Sequence, residues 1–136
     1  MVRELQLNNA TYNCLIACLF GTFALSLEDY AEALSSVMDW PVTAEELRTI
    51  GERALNLARL FNGREGFTRQ NDTLPPPLFS QAATRGPSKG EIVDRDAFER
   101  MLDEYYQCMG WDKRTGQPRE EKLREHMEDF GWNPRG

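Results

Sequence analysis

Positive charge, histidine and long apolar runs are what this chain has little of, and each shortage removes a class of protein. Sixteen Lys and Arg stand against 22 Asp and Glu, for a net charge of −6 at pH 7. A surface that tracks nucleic-acid phosphates needs the opposite balance, and the aromatic residues are not interleaved with basic ones, so no nucleic acid is expected as a partner. No stretch reaches the roughly 20 apolar residues of a membrane-spanning helix, and no membrane partner is expected. Met1-Val-Arg-Glu-Leu-Gln lacks the apolar core of a secretory signal, which puts the three cysteines in a reducing cytoplasm; an odd count fits that setting. His126 is the only histidine, and Cys108 is the only thiol besides Cys14 and Cys18. Neither sits in a paired ligand spacing, so a closed zinc site is disfavoured. His126, beside the apolar stripe of a short terminal helix, reads as a surface or packing residue.

With 136 residues, 40% of them hydrophobic, the chain is long enough for one domain with a real core. Its most apolar stretch is Tyr12 to Leu25, which carries no charge. Read as a helix, it is apolar all round and is expected to be the buried centre, covered by several neighbours. Met1 to Leu7 then reads as a leader, with Asn8 or Asn9 as helix cap. Cys14 and Cys18 lie four apart, on one face of such a helix, where the ordinary reading is two small buried hydrophobes.

Ser26 with Asp29 opens a second helix, whose Tyr30, Leu34 and Val37 form an apolar stripe before Pro41 stops it after Trp40. Thr43-Ala-Glu-Glu46 is a better capping box and opens a third. Its stripe is Leu47, Ile50, Ala54, Leu57 and Phe61, ending near Asn62-Gly63. Gly51 costs this helix about 1 kcal/mol against alanine, and close approach by a neighbouring backbone is the expected return. From Arg64 to Val93 the periodicity fails, apart from a short turn at Phe79-Ser-Gln-Ala-Ala. So long a loop is uncommon in a compact domain. The charges at its start, Arg64, Glu65, Arg69 and Asp72, could form fixed ion pairs, although composition favours a solvated polar loop. Asp94 or Asp96 caps a fourth helix with Phe98, Met101, Leu102, Tyr105 and Met109 inward and Gly110-Trp111-Asp112 at its end. Pro118 with Glu120 and Glu121 opens a last one, with Leu123, Met127 and Phe130 inward and Gly131 as its stop. The expected fold is all-α, an irregular bundle of about five helices with a long loop between the third and fourth, in a single domain over residues 1–136.

Four stretches together resemble one known family. They are Asn13-Cys-Leu-Ile-Ala-Cys18-Leu-Phe, the long run from Leu55 through Asn62-Gly-Arg-Glu-Gly-Phe-Thr-Arg-Gln-Asn-Asp-Thr-Leu-Pro75, Phe98-x-x-Met-Leu-Asp-Glu-Tyr-Tyr with Gly110-Trp-Asp, and Thr115-Gly-x-Pro with Lys122-Leu. In order and spacing they resemble the C-terminal helical domain of the tungsten-containing aldehyde ferredoxin oxidoreductases.

The resemblance implies that the chain is part of a larger enzyme that oxidises aldehydes to carboxylic acids with ferredoxin as electron acceptor. Its implied cofactors are tungsten or molybdenum held by two pterins, and a 4Fe-4S cluster. Cys18 matches the one cluster ligand this domain contributes; the other three cysteines, like the family's acid/base candidates, belong to upstream domains of the same polypeptide. No catalytic residue is therefore expected here, and the chain by itself is expected to be inactive. The family's Asp-x-x-Gly-x-Cys motif places Asn13 where a pterin-contacting aspartate stands, and its glycine is matched to Ala17, where a methyl is added beside the cofactor. An amide can still hydrogen-bond a pterin edge but lacks the negative charge. The Arg64 to Asp72 charges are expected to brace the domain against the cofactor-bearing part. Two other readings stand beside this one: an aromatic acyl-CoA reductase of the same family, running electrons the other way, and a helical interaction module without cofactors.

Overall fold

The helices start where a side chain can satisfy the orphan backbone N–H groups of a first turn. Ser26 Oγ accepts from Asp29 N–H at 3.2 Å while Asp29 takes the Ser26 N–H at 2.7 Å. Thr43 and Glu46 repeat the exchange at 3.2 and 2.8 Å, and Asp94, not Asp96, caps by accepting from Ala97 N–H at 2.7 Å. The computed structural model describes residues 1–39 and 41–127, the last two as backbone only. In order these are α1 (Val2–Cys14), a 3-10 turn (Gly21–Phe23), α2 (Leu27–Met38), α3 (Ala44–Arg64), two more 3-10 turns (Arg69–Asn71 and Pro76–Phe79), α4 (Arg95–Met109) and α5 (Glu120–Met127). Among the described residues the only β pairing is an isolated bridge between Trp111 and Pro118, so the all-α expectation holds. None of these helices is long and apolar enough to cross a membrane. Trp40, the side chains of His126 and Met127, and Phe130 and Gly131 lie outside the described residues.

The central element is α3. It packs along α1, and takes α2 and α5 on other sides. One core cluster joins Tyr12, Leu27, Ala31, Val42 and Leu47 between α1, α2 and the start of α3; a second joins Tyr106, Met109 and Trp111, with Leu55 against it, at the far end. Gly51 stands where α1 crosses, as its cost predicts: a Cβ there would lie 2.8 Å from the Leu7 carbonyl oxygen. The buried face of α3 differs from its apolar stripe. Leu57 and Phe61 are exposed, while Asn56 and Arg59 are buried and hydrogen-bonded. Val37 and Met101, expected inside, are exposed, and Tyr106 takes the inner place on α4.

The largest difference lies at Tyr12 to Leu25. Leu7, Thr11 and Tyr12 are the buried residues of α1, so Met1 to Leu7 is not a leader but its first half, and the helix ends where the apolar run has barely begun. Arg3, Glu4, Leu5 and Gln6 are good helix formers; Phe20-Gly-Thr-Phe23 are poor ones, and no cap opens a helix there. The run from Asn13 to Leu25 accordingly lies at the surface, with every residue of it exposed or half-buried.

Asp29 and Glu46 have carboxyls held below the usual range by the backbone N–H bonds of Ser26 and Thr43, and Asp112 by that of Thr115. Depressed folded values mean stability that is complete above the unfolded carboxylate range and lost as pH falls through the folded values. An acid titration followed by circular dichroism is expected to show helix content constant from neutrality into that range, then falling. Substituting Asp29→Asn and Glu46→Gln should flatten the fall.

Candidate functional site

The segment between α1 and α2 is built as a turn with a packed floor and an open outer face. Ala17 N–H reaches the Tyr12 carbonyl at 2.9 Å and Ile16 N–H the Asn13 carbonyl at 3.0 Å. These two bonds make a Schellman end to α1, with Ile16 in the left-handed region at φ 55°. Beyond it, Cys18 C=O accepts from Gly21 N–H at 2.9 Å and so starts the Gly21–Phe23 turn. Leu15, Ala17 and Tyr30 form the floor against the first core cluster, with the Tyr12 and Tyr30 rings 5.3 Å apart. Gly21 keeps that floor close, since a Cβ there would stand 3.2 Å from Tyr30 Oη.

The other side is apolar and open. Ile16 is 93% exposed, Phe20 and Phe23 80% each, and Leu19 is exposed beside them. Cys14 and Cys18 are exposed too, Cys14 as the last residue of α1 and Cys18 beyond it. They do not stack on one buried helix, which corrects the reading of two core thiols. Asn13 is exposed and Ala17 half-buried, its methyl in the floor. The motif glycine therefore does not fall on Ala17. Asp-x-x-Gly-x-Cys counted from Asn13 or back from Cys18 puts it on Ile16, and the positive φ there is the conformation that glycine serves.

The charged residues of the long loop divide into two groups. Arg64 and Glu65 are exposed. Asp72 receives both arms of the Arg59 guanidinium, at 2.9 and 2.5 Å, and the Tyr106 hydroxyl, while Arg59 Nε donates to Gly116 O at 2.6 Å. Burial, then the Asp72 carboxylate, push the Tyr106 phenol far up, so it stays a proton donor. Arg69 spans Glu99 at 2.6 Å, Asp103 at 2.5 Å and Lys113 O at 2.7 Å. Arg69 and Asp72 thus hold the loop to α3 and α4 of their own domain, a correction to the expectation that they brace it against another part. The solvated-loop reading fails for them as well.

Residues 1–126 match the family model described as aldehyde ferredoxin oxidoreductase, domains 2 and 3. The chain belongs to that family. A tungsten-containing aldehyde ferredoxin oxidoreductase of Pyrococcus abyssi (strain GE5 / Orsay) is 39% identical over 115 residues, 83% of this chain and 18% of that protein. An aliphatic sulfonate oxidoreductase, WOR-like subunit, of Pyrococcus furiosus (strain ATCC 43587 / DSM 3638 / JCM 8422 / Vc1) is 30% identical over 125 residues, 88% of this chain and 20% of that one. The chain thus spans about a fifth of the length of the relatives it matches. Among solved structures, the active-site complex BamBC of benzoyl coenzyme A reductase with 1,5-dienoyl-CoA superposes with a TM-score of 0.60 at 22% identity, over 74% of this chain and 14% of that one; that likeness is one of fold.

The donor set sets a limit on what this family member can hold by itself. Among the described residues no three His, Cys, Asp or Glu side chains stand together as a metal site. A 4Fe-4S cluster wants four thiolates, more than the three exposed cysteines, Cys14, Cys18 and Cys108, supply, so any such cluster would need thiolates from elsewhere.

Proposed function

We propose that this chain is the helical part of a larger tungsten- or molybdenum-pterin oxidoreductase, in which Cys18 is one of four ligands to a 4Fe-4S cluster and Asn13 meets a pterin edge. The reading rests on the family membership and on one observation above all: Cys18 is exposed, and so are Ile16, Leu19, Phe20 and Phe23, which flank it in the chain. Apolar groups of that size left open in a folded domain mark a surface that something else covers. Upstream domains carrying three further cysteines would cover it and exclude water from the cluster.

The reaction is oxidation of an aldehyde and water to a carboxylate, with three protons and two electrons released and the electrons passed singly to two ferredoxins. The bound metal would supply the two-electron step and the cluster the one-electron relay. What this chain does is fix geometry. The Schellman end of α1 sets the direction in which Cys18 leaves the helix, and the Tyr12–Tyr30 floor keeps the turn on the domain. At Asn13 the side chain offers a donor and an acceptor without charge, suited to the edge of a heterocycle.

The test is the tungsten, molybdenum and iron content of the anaerobically purified full polypeptide, with Cys18→Ser beside it. Metal and about four irons per chain, with iron lost or the cluster spectrum altered in Cys18→Ser, is the expected result. Metal-free protein indifferent to the substitution would instead make this a helical interaction module. Substrate is a separate question, because the relatives' names already divide between aldehydes and aliphatic sulfonates. Aldehyde-dependent reduction of ferredoxin by the metal-loaded protein is expected, and its absence would leave the acyl-CoA reductase reading to be assayed.

A further inference from the structure

Ile16 occupies the backbone conformation that its side chain suits least. At φ 55° its Cβ crowds the following carbonyl, and branching at Cβ sharpens the conflict. Glycine or asparagine ordinarily fills this place in a Schellman end. The chain itself draws almost nothing from the isoleucine, whose side chain is 93% exposed. The hydrogen bonds that define the turn, Ile16 N–H to Asn13 O and Ala17 N–H to Tyr12 O, are backbone bonds that any residue but proline would make. Strained residues persist where surroundings over-determine them, and at Ile16 those surroundings are not on this chain.

We infer that Ile16 is a positioning residue for Cys18. Its branched side chain packs onto the polypeptide that brings the other three cluster cysteines, and that contact holds the left-handed turn through which Cys18 is aimed. The inference rests on the proposed role of Cys18 as a cluster ligand. Two facts favour this occupant: the matched relatives are about five times as long as the chain, and Leu19, Phe20 and Phe23, which follow Cys18 in the chain, are large apolar side chains left exposed as Ile16 is. An exposed isoleucine in a strained turn loses on both counts in the separate chain. Against a covering surface its burial offsets the strain and restricts the turn to one orientation.

Three variants test this, with Ile16→Asn as the main one, since asparagine accepts the left-handed region but has no branched apolar side chain. In the 136-residue chain Ile16→Asn is expected to raise the thermal midpoint by about 3 °C. In the full polypeptide loaded with its cluster, the same change should make loss of cluster iron to a chelator about tenfold faster. Ile16→Val should restore the iron loss to the wild-type rate. A purely structural residue would not move the two readouts in opposite senses. A lowered midpoint in Ile16→Asn, or a raised one with unchanged iron loss, overturns the proposal. Cys18→Ser, run in parallel, separates the two ideas. If it speeds iron loss while Ile16→Asn does not, only the role of Ile16 falls; if it has no effect, the cluster reading falls and takes Ile16 with it.

Discussion

Replacing Arg59 with methionine will cost the folded chain about 3 kcal/mol, the scale on which a buried ion pair fails when one partner is removed. Arg59 is 9% exposed and joins three separate pieces of chain. Its two terminal nitrogens fork onto Asp72 in the long loop, and Nε donates to Gly116 O in the turn before α5. The guanidinium plane lies over Trp111 at 5.1 Å and near Tyr106 at 5.9 Å. Gly116 makes room for it, since a Cβ there would stand 2.3 Å from an Arg59 nitrogen. Methionine keeps much of the volume and none of the donors. Asp72 would retain the Tyr106 hydroxyl but stay half-buried without the guanidinium that pairs it.

Lysine is not a substitute at this position. One ammonium cannot serve a bidentate carboxylate and a carbonyl on the opposite side together, so Arg59→Lys should recover less than half of the loss. Urea unfolding followed by far-ultraviolet circular dichroism measures both variants. Asp72 is 28% exposed in its side chain, and solvent screening keeps the expected value at the lower end of the buried-pair range. A loss below about 1 kcal/mol for Arg59→Met would mean that the Arg69 bonds to Glu99, Asp103 and Lys113 O hold the loop without it, and that the fork contributes nothing measurable.

How legible this was in the sequence depends on how far apart the cooperating residues stand. Ser26 with Asp29 and Thr43 with Glu46 announce helix starts through neighbours a turn away, Asp94 and Gly110 mark the two ends of α4, and those ends lie where expected. Arg59 finds its partners 13 and 57 residues on, the first inside a stretch with no periodicity and the second in the turn before α5, and no local pattern marks them. Asn56 misleads in the same way. It looks like a solvent-facing polar residue of α3, yet it is fully buried and its Oδ1 takes the Trp111 indole N–H at 2.7 Å. The run from Tyr12 to Leu25 misleads for the opposite reason, because apolarity reports that a segment is to be covered without saying by what. Its apolarity alone points to the centre of this domain, whereas it lies on the surface. The role proposed for Cys18 comes from its motif alone. Ile16 was not legible there, because a positive φ is a property no hydrophobicity pattern carries.

At the crossing of α1 and α3 a single methyl is expected to be nearly as damaging as the loss of Arg59. A Cβ on Gly51 would lie 2.2 Å from Thr11 Oγ1, 2.8 Å from Leu7 O and 2.8 Å from Thr11 N. Two of those atoms are backbone of a helix, which cannot turn aside as a side chain does. Thr11 Oγ1 is tied as well, donating to Leu7 O at 2.9 Å with Leu47 O at 3.3 Å across the interface. Gly51→Ala must therefore push α1 away from α3 and loosen Leu7 and Leu47, both almost wholly buried. Overpacking of this kind costs about 1–3 kcal/mol, and alanine's better helix propensity returns about 1. With two fixed backbone atoms at 2.8 Å the cost lies at the top of that range, so the net expectation is a loss of about 2 kcal/mol for alanine and more for valine. Gly63 provides the contrast within the same helix. Its Cβ would meet only the end of the Gln117 side chain, at 2.4 Å, and that end can swing away at the expense of one bond to Phe67 O. Gly63→Ala should therefore stay within about 1 kcal/mol of the parent. Equal losses at the two glycines in urea unfolding would place the penalty in the α3 backbone itself. A loss at Gly51 alone places it in the contact that seats α1, and with α1 the turn that carries Cys18.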